Sequence, residues 1–143
     1  MPHAAWCLRS GAVTVPVPPL QAIGATPGAL VGIVVGAGNN GGDGLVLSRQ
    51  LPLRGFRVEV AFCGARPVSS GRPSDAAVNL AIAERSGVAI EDATDGEGLR
   101  DVMRRWDDAG AVLLVDALFG TGLQGAISEE VSEEAITHSN QGW

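Results

Sequence analysis

The sequence predicts an α/β protein with a mainly parallel, doubly wound sheet, and three observations point that way. Short apolar, β-branched runs alternate with longer segments of helical periodicity, the order that builds βαβ units with right-handed crossovers. The first run empties into a glycine-rich string, Gly36-Ala37-Gly38-Asn39-Asn40-Gly41-Gly42-Asp43-Gly44, and the last empties into a second, Gly120-Thr121-Gly122-Leu123. The 143 residues, 45% of them apolar, are enough for one domain and one core.

Taken in order, residues 1–28 hold five of the eight prolines (Pro2, Pro16, Pro18, Pro19 and Pro27). Each proline keeps its predecessor out of helix, which predicts an irregular arm that is dispensable for folding. Residues 29–35 are apolar and β-branched and end in glycine, the pattern of a buried strand. A helix is predicted over 43–54, with Leu45, Leu47 and Leu51 among its apolar residues, and a second strand over 57–63. Residues 74–86 read as a helix entered through Pro73 and closed by Gly87, at the position where left-handed caps occur. A short third strand is predicted over 87–90. Thr94 and Glu97 have the spacing of a capping box. Behind them Leu99, Val102, Met103 and Trp106 repeat at i, i+3, i+4 and i+7, a stripe read as core packing. Gly110 ends that helix, 111–119 is a fourth buried strand, and 128–138 reads as a last, acidic helix.

Composition removes several classes of function. There is no lysine, and all ten cationic residues are arginine. That excludes Schiff-base catalysis and the lysine-dependent phosphate loop of P-loop NTPases. Tyrosine is also absent, so no phenol serves as acid or base. A net charge of -6 argues against nucleic-acid binding. No apolar run approaches the roughly 20 residues of a membrane span, and the N-terminus has no secretory pattern. Cys7 and Cys63 sit in no metal or redox motif and read as thiols of a reducing compartment, which predicts a cytoplasmic protein. His3 and His138 lie near the ends and receive no role.

The chemistry is concentrated in the two glycine strings. Gly36, Gly38 and Gly41 satisfy G-x-G-x-x-G between a strand and a helix. Such a turn lets backbone N–H groups approach an anion, and the helix end adds about half a positive charge. A phosphate can thus be held without lysine, and a side chain at Gly41 is expected to stand where a phosphate oxygen belongs. In the common doubly wound order 3-2-1-4, the first and fourth of these strands are neighbours. Both glycine strings then border one crevice, the place where open α/β sheets bind ligands. Asp116 near the end of the fourth strand reads two ways, as a turn cap or as a ligand of a cation or substrate hydroxyl. Glu59 follows Gly41 at nearly the spacing of a ribose-binding acid, which favours an NAD(P)-dependent oxidoreductase. It lies inside its strand rather than at the end, which counts against that reading. A noncatalytic nucleotide-binding or scaffold protein is the third possibility.

The strings Gly38-Asn39-Asn40-Gly41-Gly42-Asp43-Gly44-Leu45 and Val115-Asp116-Ala117-Leu118-Phe119-Gly120-Thr121-Gly122-Leu123 resemble the NAD(P)H-hydrate epimerase family, the YjeF N-terminal domain, over roughly residues 29–125. The resemblance implies a three-layer α/β/α Rossmann-like fold and interconversion of the R and S epimers of hydrated NADH and NADPH (NADHX and NADPHX) at C6 of the nicotinamide ring. It implies that Asn39, Asn40, Gly41, Gly42 and Asp43 cradle substrate phosphate. Gly120, Thr121, Gly122, Leu123, Gln124, Gly125 and Ala126 form the second substrate loop, in which Gln124-Gly125-Ala126 is an atypical ending. Asn40 and Asp116 are the implied ligands of one potassium ion, for which amide and carboxylate oxygens are suitable donors. A companion NAD(P)HX dehydratase is the implied functional partner, and a homodimer is compatible with the resemblance. Family members carry a further strand and an Asp-Ile-Pro-Ser-Gly-like motif beyond the second loop. Trp143 comes before any such segment, so residues 29–143 are expected to form a C-terminally incomplete domain of this kind. No catalytic acid or base is assigned.

Overall fold

A computed structural model describes residues 4–7, 25–67 and 71–118, the first four as backbone only. Its elements are β1 (Ala4–Cys7), β2 (Leu30–Val35), α1 (Asn39–Gln50), β3 (Arg57–Cys63), α2 (Asp75–Arg85), β4 (Ala89–Ala93), α3 (Gly96–Asp108) and β5 (Leu113–Ala117). A 3-10 turn, Pro52–Arg54, follows α1, because Pro52 has no N–H with which to continue the helical ladder.

The five strands form one parallel sheet in the order β1-β5-β2-β3-β4. β2 is buried along its whole length, as a continuous apolar run requires between two layers of helix. Alternate residues of the sheet feed two cores. Val31, Ile33, Val35, Val60, Phe62 and Val115 face Leu45, Leu51, Leu80 and Ala83 of α1, its end and α2. Leu30, Val34, Ala61, Cys63 and Leu114 pack with Leu99, Val102, Met103 and Trp106 of α3 on the opposite side. Three layers result. From β2 the chain steps outward through α1 to β3 and through α2 to β4. It then returns over the other face through α3 to β5, on the far side of β2. The reversal falls between β2 and β5, where Val34 is registered with Asp116 and Val35 with Ala117.

The strand order, the stripe on α3 and the left-handed glycine that closes α2 (Gly87, φ +78°) follow the sequence reading. Cys7 and Cys63 stand in strands separated by β5 and β2, so their Cα atoms are about 14 Å apart or more, too far for a disulfide. Among the described residues no helix is long and apolar enough to cross a membrane.

Several expectations need correction. Residues 4–7, placed in the irregular arm, form β1, which pairs with β5 from Ala4 opposite Leu113 to Cys7 opposite Asp116. The prolines of the arm flank this four-residue run without interrupting it, and the otherwise unpaired edge of β5 offers it a ladder. Residues 8–24, the second glycine string at 120–126 and the acidic helix at 128–138 lie outside the described residues. The helix predicted over 43–54 begins four residues earlier, so most of the first glycine string is helical. The cap of α3 is Asp95, not Thr94: its carboxylate accepts Gly98 N–H at 2.7 Å, and no capping box forms. β4 starts at Ala89 because Gly87 is still occupied in turning the chain out of α2.

Candidate functional site

α1 begins immediately beyond the carboxyl end of β2, and it is a helix of poor intrinsic formers. Three glycines fall in its first half, each costing about 1 kcal/mol relative to alanine. Their value lies in close approach. A Cβ at Gly41 would stand 1.8 Å from the Gly36 carbonyl oxygen, and one at Gly44 would stand 2.6 Å from Ala117 Cβ. Gly41 thus makes room for the end of β2, not for a phosphate oxygen, which corrects the reason given for it from the sequence. Gly38 is different. It is the N-cap residue, in extended backbone (φ -86°, ψ -176°), and a Cβ there meets nothing within 4 Å.

The head of α1 is accordingly open at Gly38. Its N-cap residue, Gly38, has no side chain with which to cap it, and its first turn contains no acidic residue. The first intrahelical bond runs from Gly42 N–H to the Gly38 carbonyl at 3.0 Å, so the N–H groups ahead of it point out of the helix end. An anion there gains from both the donors and the helix dipole. Among the residues expected to cradle it, Asn39 and Asp43 are exposed, Gly41 and Gly42 are buried, and Asn40 is 2% exposed with its Oδ1 wholly buried.

Across the switch point stands β5. Asp116 accepts Leu118 N–H through Oδ1 at 2.9 Å, so the turn-capping role is real. The carboxylate is half-buried. Burial raises its pKa above the ordinary carboxylate value, and the Leu118 N–H bond opposes that shift. On the same face of the sheet the buried Cys63 thiol is pushed up to about 12, first by burial and then by the charge of Asp116. Cys63 is therefore an unreactive thiol. A cation near Asp116 would stabilise the charge that burial penalises. The buried Asn40 oxygen and the second Asp116 oxygen are hard donors of the kind a monovalent ion takes, so the two residues fit that group. Among the described residues no three His, Cys, Asp or Glu side chains come together as a metal cluster.

Glu59 is placed elsewhere. It lies mid-strand in β3, where its Oε2 accepts Trp106 Nε1–H at 2.9 Å. It helps hold α3 to the sheet and lies away from the carboxyl end of β3, which removes Glu59, though not the G-x-G-x-x-G string, as support for an oxidoreductase. Two residues that the sequence did not single out lie on α2 beside Gly42. A Cβ at Gly42 would lie 3.4 Å from Ala76 Cα and 3.7 Å from Asn79 Nδ2. Neither belongs to any motif, and only the packing of α2 beside α1 reveals them.

Comparison with known proteins identifies the family and the fold. The family model described as YjeF-related protein N-terminus matches residues 7–142. A bifunctional NAD(P)H-hydrate repair enzyme Nnr of Methanopyrus kandleri is 34% identical over 104 residues, covering 73% of this chain and 19% of that protein. An NAD(P)H-hydrate epimerase of Pirellula staleyi is 41% identical over 100 residues, covering 70% of this chain and 42% of its own length. The chain thus spans less than half the length of these curated relatives. The crystal structure of yeast ynu0 superposes with a TM-score of 0.59 at 24% identity, over 80% of this chain and 45% of the yeast one, a likeness of fold.

Proposed function

Because the chain belongs to the family of YjeF-related protein N-termini, we propose that it takes part in epimerising the R and S forms of hydrated NADH and NADPH at C6 of the nicotinamide ring. The observation that carries this reading is the uncapped head of α1, set at the β2–β5 reversal with open space at Gly38. A dinucleotide brings a pyrophosphate, and in a chain without lysine its charge is met by backbone N–H groups and the helix dipole. The names of the relatives, NAD(P)H-hydrate epimerase and repair enzyme, support the choice of substrate.

In this reading Asn39 to Asp43 line the phosphate, and Gly120 to Ala126 are further substrate-binding residues. Asn40 and Asp116 hold one potassium ion. When bound, that ion would offset the negative charge of the substrate phosphate and of the Asp116 carboxylate. Asp116 keeps its Leu118 N–H bond through Oδ1, which leaves its other oxygen for the ion. Asn40, fixed by burial at the helix head, presents an amide oxygen that carries no charge to be offset. The same reading includes a cytoplasmic enzyme, a homodimer, and a dehydratase that consumes one epimer.

The test is direct. An enriched epimer of NADPHX is incubated with the chain, and the approach to the R/S equilibrium is followed by chromatography in potassium or in an equal concentration of tetramethylammonium. Interconversion that is faster in potassium, with the difference lost in Asp116→Ala, is the expected result. No interconversion despite binding of the dinucleotide would leave a noncatalytic nucleotide-binding role. Equal rates in the two salts would reduce the ion to charge screening.

A further inference from the structure

Neither the sheet nor α1 alone holds the anion-binding end in place. Gly41 rests on the end of β2, but Gly42 rests on α2, against Ala76 and Asn79. The half-buried amide of Asn79 is bonded on both edges. Its Oδ1 accepts Arg49 Nη2 of α1 at 2.8 Å, and its Nδ2 donates to the Asp75 carbonyl in the first turn of α2 at 3.0 Å. Only one orientation satisfies both, since a guanidinium only donates and a carbonyl only accepts. Arg49 in turn is tied back to its own helix, donating from Nε to the Leu45 carbonyl at 3.4 Å. The position therefore demands one acceptor and one donor on a single short, planar group. Asparagine supplies both; aspartate supplies only the acceptor, and leucine neither.

We propose that Asn79 is a positioning residue for dinucleotide binding, locking the first turn of α2 to α1 and so fixing where the head of α1 presents its N–H groups. The need arises from the sequence of α1 itself. Its opening residues are glycines and asparagines with no capping side chain, so the helix has little of its own to hold its first turn in one place. Backbone donors are useful only at hydrogen-bonding distance, and displacements near 1 Å can cost large factors in binding or rate. Two contacts lie at the first turn of α1: the Gly36 carbonyl below Gly41, and the Ala76–Asn79 surface beside Gly42. The first is a backbone contact. The second is adjustable by side-chain chemistry, and that makes it testable.

This inference rests on the dinucleotide reading of the site, and the experiment separates the two. The whole chain and its Asn79→Leu and Asn79→Asp variants are titrated calorimetrically with NADP+ as the stable probe, and KM and kcat for NADPHX epimerisation are measured alongside. For Asn79→Leu the expected result is a Kd weakened about tenfold, on the scale of a sub-ångström displacement. KM should rise by a similar factor while kcat stays within about twofold. Asn79→Asp keeps the acceptor for Arg49 and should recover part of the affinity. It also decides the matter if the leucine variant does not fold. A wild-type chain that binds NADP+ together with a folded Asn79→Leu of equal affinity would overturn this inference alone. A wild-type chain that binds no NADP+ would overturn the dinucleotide reading beneath it.

Discussion

α1 and α3 lie on opposite faces of the same sheet and are helices for opposite reasons. α3 is written in its own sequence. An aspartate caps it, and Leu99, Val102, Met103 and Trp106 repeat at helical spacing and are all buried. Each of these side chains gains roughly 1.5–3 kcal/mol by leaving water. α1 has almost none of this. Its buried residues include Asn40, Gly41, Gly42, Gly44 and Ser48, with Leu45 as the large apolar member. It is helical because its glycine face fits against the ends of β2 and β5, where a side chain at Gly41 or Gly44 would collide, and lies beside α2 at Gly42. A helix that only has to pack can be built from propensity and an apolar stripe. A helix that must offer its bare N-terminus to a ligand gives up its cap and its large side chains, and depends on its neighbours instead.

The contrast predicts opposite sensitivities. On α1 a large effect is expected from Gly41→Ala, whose Cβ would stand 1.8 Å from a backbone oxygen that cannot move without dragging β2. Methyl insertions into well-packed cores usually cost about 1–3 kcal/mol, and this one belongs at or beyond the upper end. Its melting temperature should fall by 10 °C or so, roughly the yield of 3 kcal/mol in a domain of this size. A variant that melts like the wild type would show that α1 is not seated as described.

On the other helix, Trp106→Ala should cost about 3–5 kcal/mol, the range for truncating a buried aromatic. The indole is 2% exposed, lies on Gly32, where even a Cβ would come within 2.3 Å of the ring, and donates to Glu59. Dinucleotide affinity of whatever fraction stays folded should be unchanged. Measured in urea, this variant separates the stability of the α3 face from the binding function of α1.

The next effect is pH-dependent and belongs to the boundary between the two regions. Cys63 remains a thiol in the fold up to about 12, against an ordinary value of 9.0, because burial and the Asp116 charge oppose its ionisation. Unfolding at alkaline pH therefore releases a proton. Stability is unaffected below pH 9 and falls as pH rises between the two values, by about 1.4 kcal/mol per unit from this group. Cys63→Ala should flatten that part of the pH–stability curve measured in denaturant. A curve of the same slope in both proteins would remove the thiol as its cause.

How much of this was legible in the sequence follows the same division. The order of the strands, the core stripe on α3 and the glycine that closes α2 depend on periodicity and turn chemistry, which a sequence displays. The start of α1 was hidden, since Gly41, Gly42 and Gly44 argue for a loop until the Gly36 carbonyl, Ala76 and Ala117 are seen beside them. β1 was hidden because four residues carry too little pattern to outweigh the prolines around them. The candidate site was partly legible. Gly38 and Asp116 were marked by their places at strand ends, and the structure adds the open space at one and the burial of the other. Asn79 had no signal at all, because its importance lies in a partner 30 residues away.

The most direct test of the uncapped helix head is Gly38→Asp. The backbone there is extended and suits any residue, and an added side chain meets nothing within 4 Å. An aspartate at this position would cap α1 and complement its dipole, a gain of about 0.3–1 kcal/mol. It would also place a carboxylate where the ligand's phosphate is expected. The melting temperature of the variant should therefore hold or rise by roughly 1–4 °C, while its affinity for NADP+ falls by more than tenfold. A variant that is as stable as the wild type or more so, and binds NADP+ equally well, would show that the ligand does not use the head of α1.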